Sequence, residues 1–271
     1  MPKSALAKYS IKIVKRVVPL ALLLYFIPKI TVVFFLIGLI DVSRNRPLSL
    51  GVLNRYFFGN GVLTWLIAPL NLFIDLICIP FRNRGIYSIE DLPDDYRKEI
   101  NKTIETLKKD PKLISRIREM AKTENRAMVF FRWYGRPVEG SLKVEGLDGD
   151  LKFVRTIGVS AFNAGRSTGF HFGPFRTTIR VLYNLNRIDS EDAFIEVGNT
   201  RQVWKENPLF IFDDTLMHRS VNESDEMRFC VFADIIRPSY MPAVLRTIVT
   251  LTQYAFFKVN FLFYKNWTFL R

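Results

Sequence analysis

A mainly β fold, a jelly roll flanked by helices and preceded by a membrane segment, is what the chain predicts, on three observations. Between residues 152 and 235, runs rich in β-branched and aromatic residues recur at roughly 152–160, 177–185, 193–198, 201–205, 208–213, 217–221 and 227–235. Turn residues separate them, which is the rhythm of an antiparallel sandwich or barrel, and a jelly roll is the version that often houses a metal at its mouth. Ahead of them, residues 88–125 carry the period of helices. Both ends of the chain, by contrast, are apolar and basic.

The N-terminal end reads as an anchor. Val17 to Ile40 holds 24 residues with one charge, Lys29, behind the basic run Lys3, Lys8, Lys12, Lys15 and Arg16. That length suffices to cross a bilayer, and the basic run favours a cytoplasmic N-terminus. Pro28 and Lys29 fall at mid-segment, so two short helical arms entering and leaving one leaflet are equally open. A second apolar stretch, Val62 to Phe81, is interrupted by Pro69, Asn71 and Asp75 and either returns across the membrane or lies in its surface.

Over 88–125, Leu92, Tyr96, Ile100, Ile104 and Leu107 recur at spacings of three and four, and Asp110-Pro111 stops the run; this is scaffold. The strand region begins at about residue 129. From Met241 onward, eight aromatics, Tyr254 to Phe269, interleave with Lys258, Lys265 and Arg271. That composition suits a membrane interface or a helix packed on the core, and the two are compatible.

The net charge of +13 is unevenly placed. Residues 1–60 carry nine Lys/Arg against Asp41 alone, residues 241–271 carry four against none, and the rest is nearly balanced at 26 against 25. Basicity confined to apolar ends points to anionic lipid head groups as the partner, with nucleic acid set aside. Cys78 and Cys230 are too few for a disulfide framework and read as buried thiols.

His171 and His218 are the chain's whole supply of imidazole, and a two-histidine site is the minimum for an enzymatic iron centre. On their own they are a weak signal. Arg228 strengthens it: it follows His218 across the polar stretch Ser220 to Glu226, a hairpin-like spacing that would set a carboxylate-clamping guanidinium beside the metal. Gly173, two after His171, offers no ligand where many oxygenases carry an acid. Asp213 and Asp214 are the available substitutes, though a tight FDD turn suits a structural role. Trp204 and Phe175 read as core residues that could also line an approach to the site.

The blocks SAFNAGRSTGFHFGP, TIRVLYNL, VGNTRQVWKENPLFIFDD and MRFCVFADIIRP, between Ser160 and Pro238, resemble the aspartyl/asparaginyl β-hydroxylase family of Fe(II)- and 2-oxoglutarate-dependent dioxygenases. The resemblance implies a double-stranded β-helix, with His171 and His218 as iron ligands and water where the acid would stand. It further implies Arg228 as the clamp on the distal carboxylate of 2-oxoglutarate, Arg180 and Ser160 assisting in that pocket, and O2 as oxidant. The apolar, basic flanks are similar to the bacterial lipid A 2-hydroxylase branch, with ornithine lipid hydroxylases alongside and peptidyl hydroxylases as the soluble counterpart. The implied organisation is a membrane-anchoring region (1–85), a helical scaffold (86–128), a dioxygenase domain (129–240) and an aromatic, basic C-terminal segment (241–271). The implied setting is the bacterial inner membrane with the catalytic domain facing the cytoplasm.

Overall fold

A computed structural model describes residues 14, 18–19, 21–22, 24–79, 81–147, 149, 151–256 and 268–270. The N-terminal part forms helices α1 (Pro28–Val42), α2 (Leu50–Phe58), α3 (Val62–Leu66) and α4 (Ala68–Ile77). After a short strand β1 (Ile86–Tyr87) come the scaffold helices α5 (Asp94–Lys109) and α6 (Leu113–Met120). The strands that follow are β2 (Arg126–Trp133), β3 (Arg136–Pro137), β4 (Val154–Phe162), β5 (Arg166–Ser167), β6 (Thr178–Asn184), β7 (Ala193–Val197), β8 (Thr200–Val203), β9 (Leu209–Phe212), β10 (His218–Asn222) and β11 (Arg228–Ile236). Helix α7 (Pro242–Phe256) and β12 (Thr268–Phe269) close the described chain.

The strands make two sheets, one in the order β1-β9-β6-β11-β4-β2-β12 with β3 on β2, the other β5-β10-β7-β8. From β4 onward the chain shuttles between them: β4, β6, β9 and β11 lie in the large sheet, and β5, β7, β8 and β10 in the small one. That alternation is the double-stranded β-helix. Successive side chains on a strand point to opposite faces, so β11 sends Phe229, Val231, Ala233 and Ile235 outward and Arg228, Cys230, Phe232 and Asp234 inward. The outward set packs with Ile100, Ile104 and Leu107 of α5 and Leu113 and Ile117 of α6. The inward apolar residues meet Ala193, Ile195 and Val197 of the small sheet. Glu99 on α5 fixes the entry of β4 by accepting the backbone N–H groups of Lys152, Phe153 and Val154 at 2.8, 2.8 and 3.0 Å.

Four expectations need correction. The N-terminal apolar segment does not form one long helix: Ile27 is a bend with φ −137°, and α1 starts afresh at Pro28, a residue that opens helices readily because its missing N–H is not needed there. Among the described residues no helix is long and apolar enough to cross a membrane. The polar residues interrupting the second apolar stretch are contacts to the β domain: Asn71 Nδ2 donates to Pro174 O (3.0 Å) and Asp75 pairs with Arg176 and Arg237. Third, His218 and Arg228 do not sit on a hairpin, because β10 and β11 belong to different sheets; Asn222 holds the crossing by donating to Phe162 O, Asn163 O and Glu226 O. Last, β2 starts at Arg126, inside the stretch expected to be helical; six consecutive residues of it are buried, so it lacks the alternation that marks a half-exposed strand. At the C-terminus, Thr268 and Phe269 pair in parallel with Ala127 and Met128, and Leu245 and Val249 of α7 are buried. Most of the aromatic stretch expected at an interface lies outside the described residues.

Candidate metal and co-substrate site

His171 and His218 come together because β5 and β10 are antiparallel neighbours, with Val221 opposite Ser167, and the pairing continues to a bridge between the two histidines. Each backbone N–H donates to the other's carbonyl at 2.9 Å. The rings stand with centroids 4.2 Å apart. In each, Nδ1 lies 2.8 Å from a carbonyl two residues upstream, Gly169 O for His171 and Leu216 O for His218. A carbonyl can only accept, so Nδ1 carries the proton and Nε2 keeps its lone pair; this is the second-sphere bond that orients metal-binding histidines. Burial lowers both pKa values, His218's well below the usual imidazole value. Both are therefore neutral near pH 7, the form that ligates.

Among the described residues no third protein ligand joins them. Among the described residues there is no group of three or more His, Cys, Asp or Glu side chains placed to hold a metal ion. The structure also accounts for the glycine at position 173: a Cβ there would lie 2.4 Å from Asp214 Cγ. The Asp214 carboxylate fills that space and accepts from Arg180 Nη2 at 3.0 Å. Burial, against the pull of Arg180, raises the Asp214 pKa to about 7. Asp213 is structural, accepting from Thr215 N (2.9 Å), Thr215 Oγ1 (2.7 Å), Arg44 (2.5 Å) and Asn83 (2.5 Å).

Arg228, at the head of β11, is 1% exposed. Its Nη2 donates to Ser220 Oγ at 2.7 Å, and Ser220 lies two residues past His218, on the same face of β10. Its guanidinium carbon is 4.4 Å from the Phe162 ring centre and 5.3 Å from that of Trp204. Among the described residues Nε and Nη1 have no hydrogen-bond partner, nor does the buried indole N–H of Trp204. An orphaned buried donor costs about 1–3 kcal/mol, and an unpaired buried cation more. Burial lowers the Arg228 pKa. A carboxylate between the sheets would satisfy the fork of this guanidinium, so the residues present fit an iron held by two imidazoles together with a dicarboxylate co-substrate.

Ser160 on β4 is buried on the inner face and bonded to Cys230 O at 3.2 Å. Arg180 on β6 stands near the same site. It lies close enough to depress both histidine pKa values, but its Nε and Nη2 are engaged by Asp234 (2.6 Å) and Asp214 (3.0 Å), so it belongs to an ionic cluster beside the pocket. Phe175 is buried, and Trp204 packs against Arg228. Sequence reasoning missed Ser220 and Asp234. Strand alternation would have found both, since they share parity with His218 and Arg228.

Over residues 142–238 the chain matches the family profile described as Aspartyl/Asparaginyl beta-hydroxylase. It is 32% identical over 85 residues to the ornithine lipid ester-linked acyl 2-hydroxylase of Rhizobium tropici, covering 31% of this chain and 30% of that protein; the match thus spans less than a third of the relative's length. Among solved structures, an oxidoreductase of the 2OG-Fe(II) oxygenase family from Burkholderia pseudomallei aligns over 52% of this chain and 91% of its own, at 12% identity and TM-score 0.33. The cupin domain of a transcriptional regulator from Enterobacter cloacae aligns over 41% and 96%, at 10% identity and TM-score 0.29. Residues 142–238, which carry both histidines and Arg228, are thus similar to the aspartyl/asparaginyl beta-hydroxylase family.

Proposed function

We propose that the protein is an Fe(II)- and 2-oxoglutarate-dependent dioxygenase that hydroxylates a fatty acyl chain of a membrane lipid at its 2-position, with lipid A as the substrate. The observation that carries the reading is Arg228, a buried guanidinium with two nitrogens unpartnered among the described residues, linked through Ser220 to the strand of His218. His171 and His218 would hold iron through Nε2. Bound there with 2-oxoglutarate and O2, the metal supplies the oxidation of C–H to C–OH while the co-substrate loses CO2 to become succinate. The chain's own residues bind and orient. Arg228 receives the distal carboxylate of 2-oxoglutarate, Ser160 lines the same inner face, and Phe162 and Trp204 exclude water from the guanidinium, which strengthens its hold on an anion. Gly169 and Leu216 keep the Nδ1 protons in place, so the imidazoles present lone pairs without first having to ionise.

Support for a lipid substrate is the basic charge of the two apolar ends and the likeness to an acyl 2-hydroxylase. That relative also favours a second reading, an ornithine lipid as the acyl carrier. Access to reduced iron and 2-oxoglutarate places the catalytic domain, on this proposal, at the cytoplasmic face of the bacterial inner membrane. The test is incubation of the full chain with Fe(II), 2-oxoglutarate and lipid extracts containing lipid A or ornithine lipid, followed by mass spectrometry for one added oxygen and by succinate measurement. Both products are expected, and both are lost in His171→Ala. Oxidised peptide with no oxidised lipid would turn the reading to a peptidyl hydroxylase.

A further inference from the structure

A second site lies outside the jelly roll. The loops after α1 and α4 enclose a cavity of about 890 Å³, whose charged lining is Arg44, Arg46, Arg82, Arg84, Arg237 and Asp91. Five cations face one carboxylate. Arg44, Arg84 and Arg237 have acidic partners in Asp213, Asp91 and Asp75. Arg46 and Arg82 are exposed, and neither forms an ion pair among the described residues. Guanidinium groups gathered around a cavity in this excess form a receptor for a multiply charged oxyanion.

Its surroundings identify what carries that anion. On one side, α1 and α4 turn large apolar side chains to solvent: Ile30 is 56% exposed, Leu36 55%, Phe73 54% and Leu76 66%. Phe81, just past the end of α4, lines the cavity and packs edge-on against the exposed ring of Tyr240 at 5.5 Å. Apolar helix faces bordered by arginine and aromatic rings have the composition of a surface that enters one leaflet with its cations at head-group level. On the other side, the loop holding Arg44 and Arg46 runs against the segment that leads into His218: Arg44 pairs with Asp213, and Asn45 Oδ1 accepts Met217 N at 2.7 Å. The cavity is therefore joined along the chain to the two apolar helices and by hydrogen bonds to the segment that leads into the histidine-bearing strand.

We infer that this arginine-lined cavity binds the phosphate head group of a membrane lipid and so holds the substrate by its polar end while an acyl chain reaches toward the two histidines. The assignment of that lipid as substrate rests on the function proposed above; the head-group site stands on its own geometry. A zwitterionic aminoacyl head group brings an ammonium that the two arginines left over from ion pairs, Arg46 and Arg82, would repel, so the lining favours phosphate.

Vesicle flotation of the full chain tests this without metal. Phosphatidylcholine vesicles are compared with vesicles that also contain phosphatidic acid, and inorganic phosphate is added as competitor. Wild type is expected to float with phosphatidic acid vesicles and to be released by phosphate. The pair Arg46→Glu/Arg82→Glu is expected to lose at least ~10-fold in recruitment, the scale on which a few basic residues act at an anionic surface. Arg46→Gln/Arg82→Gln should fall between, and thermal melts check that both remain folded. Lys102→Glu/Lys109→Glu makes the same charge change on α5 and is expected to float like wild type. Undiminished recruitment of the Arg46/Arg82 pair overturns the inference, as does an equal loss in the lysine pair, which would mean net charge alone. Phosphate binding without any preference for phosphatidic acid vesicles overturns the lipid assignment in favour of a free anion. Succinate formation by wild type without lipid recruitment would remove the head-group site and leave the dioxygenase; recruitment without succinate would do the reverse.

Discussion

The two halves of the molecule cohere by different means. The jelly roll is held by apolar contact: one layer of side chains packs between the sheets and another between the large sheet and α5 and α6. The N-terminal helices add buried charge to the apolar contacts, Tyr56 and Phe57 with Phe172 and Ile74 with Ile236, that fasten them to it. Arg176, 1% exposed, receives Asp41 at 2.5 Å and Asp75 at 2.7 Å, with Asp213 at 3.8 Å. Arg237 shares Asp75, Arg44 takes Asp213, and the Tyr56 hydroxyl donates to Asp41 at 2.6 Å. Apolar burial tolerates small shifts, whereas a buried ionic joint holds only if every member is present. The joint lies directly behind the loop that presents His171: Asn60, Thr64 and Asn71 donate to the carbonyls of Phe170, Gly173 and Pro174 at 2.7, 3.0 and 3.0 Å. The helices thus brace the segment that presents His171.

The largest effect that separates the two modes is expected from Arg176→Met. It leaves Asp41 and Asp75 buried or half-buried without their shared cation, a loss of about 3–5 kcal/mol. A thermal melt should fall steeply, with proteolysis appearing first among the N-terminal helices; a loss below ~1 kcal/mol would show that the joint does not hold them. Phe229→Ala, in the fully buried outer layer of β11, should cost a similar ~3–5 kcal/mol through cavity formation, and the loss should be the same at every pH where wild type is folded.

Acid separates the modes next. The Arg44 and Arg176 guanidiniums hold the Asp213 carboxyl well below the usual carboxylate range. Its folded pKa is therefore lower than its unfolded one, so the stability it contributes is present above the ordinary aspartate value of about 4 and is lost as pH falls from there toward the folded pKa. Denaturant midpoints measured downward from pH 5 should decline in wild type and decline less in Asp213→Asn, which has already given up that contribution. Parallel curves would remove Asp213 from the joint.

Most of the β domain was legible in the sequence because its strands are runs rich in β-branched and aromatic residues set off by turns; β6 and β11 begin and end within a residue or two of expectation. The histidine pair and Arg228 were legible as residue types in a recognisable pattern. The ionic joint was not. Asp41, Asp75, Arg176 and Asp213 are far apart in sequence, and Asp75 read only as an interruption of an apolar run. The ionic partners of Arg180 were hidden for the same reason: nothing local says that Asp214 and Asp234 will pair with it. Partners brought together by the fold leave no periodic trace, so the joint, the brace on the loop that presents His171 and the arginine cavity emerge only in three dimensions.

The smallest effect tests whether the brace serves chemistry or only cohesion. Thr64, 0% exposed, donates to Gly173 O, and Thr103, 2% exposed, donates to Glu99 O at 2.8 Å within α5. Replacing either threonine by valine preserves shape and removes one buried donor, for about 1–3 kcal/mol. Stability alone cannot tell the two apart. Metal affinity can, because Gly173 is two residues from His171, and loss of an outer support to a ligand weakens binding by ~10–100-fold. Cobalt(II) titration of the full chain should therefore show weaker binding in Thr64→Val and unchanged binding in Thr103→Val. Equal affinities would confine the helices to a structural role and leave the orientation of His171 to its own strand pairing.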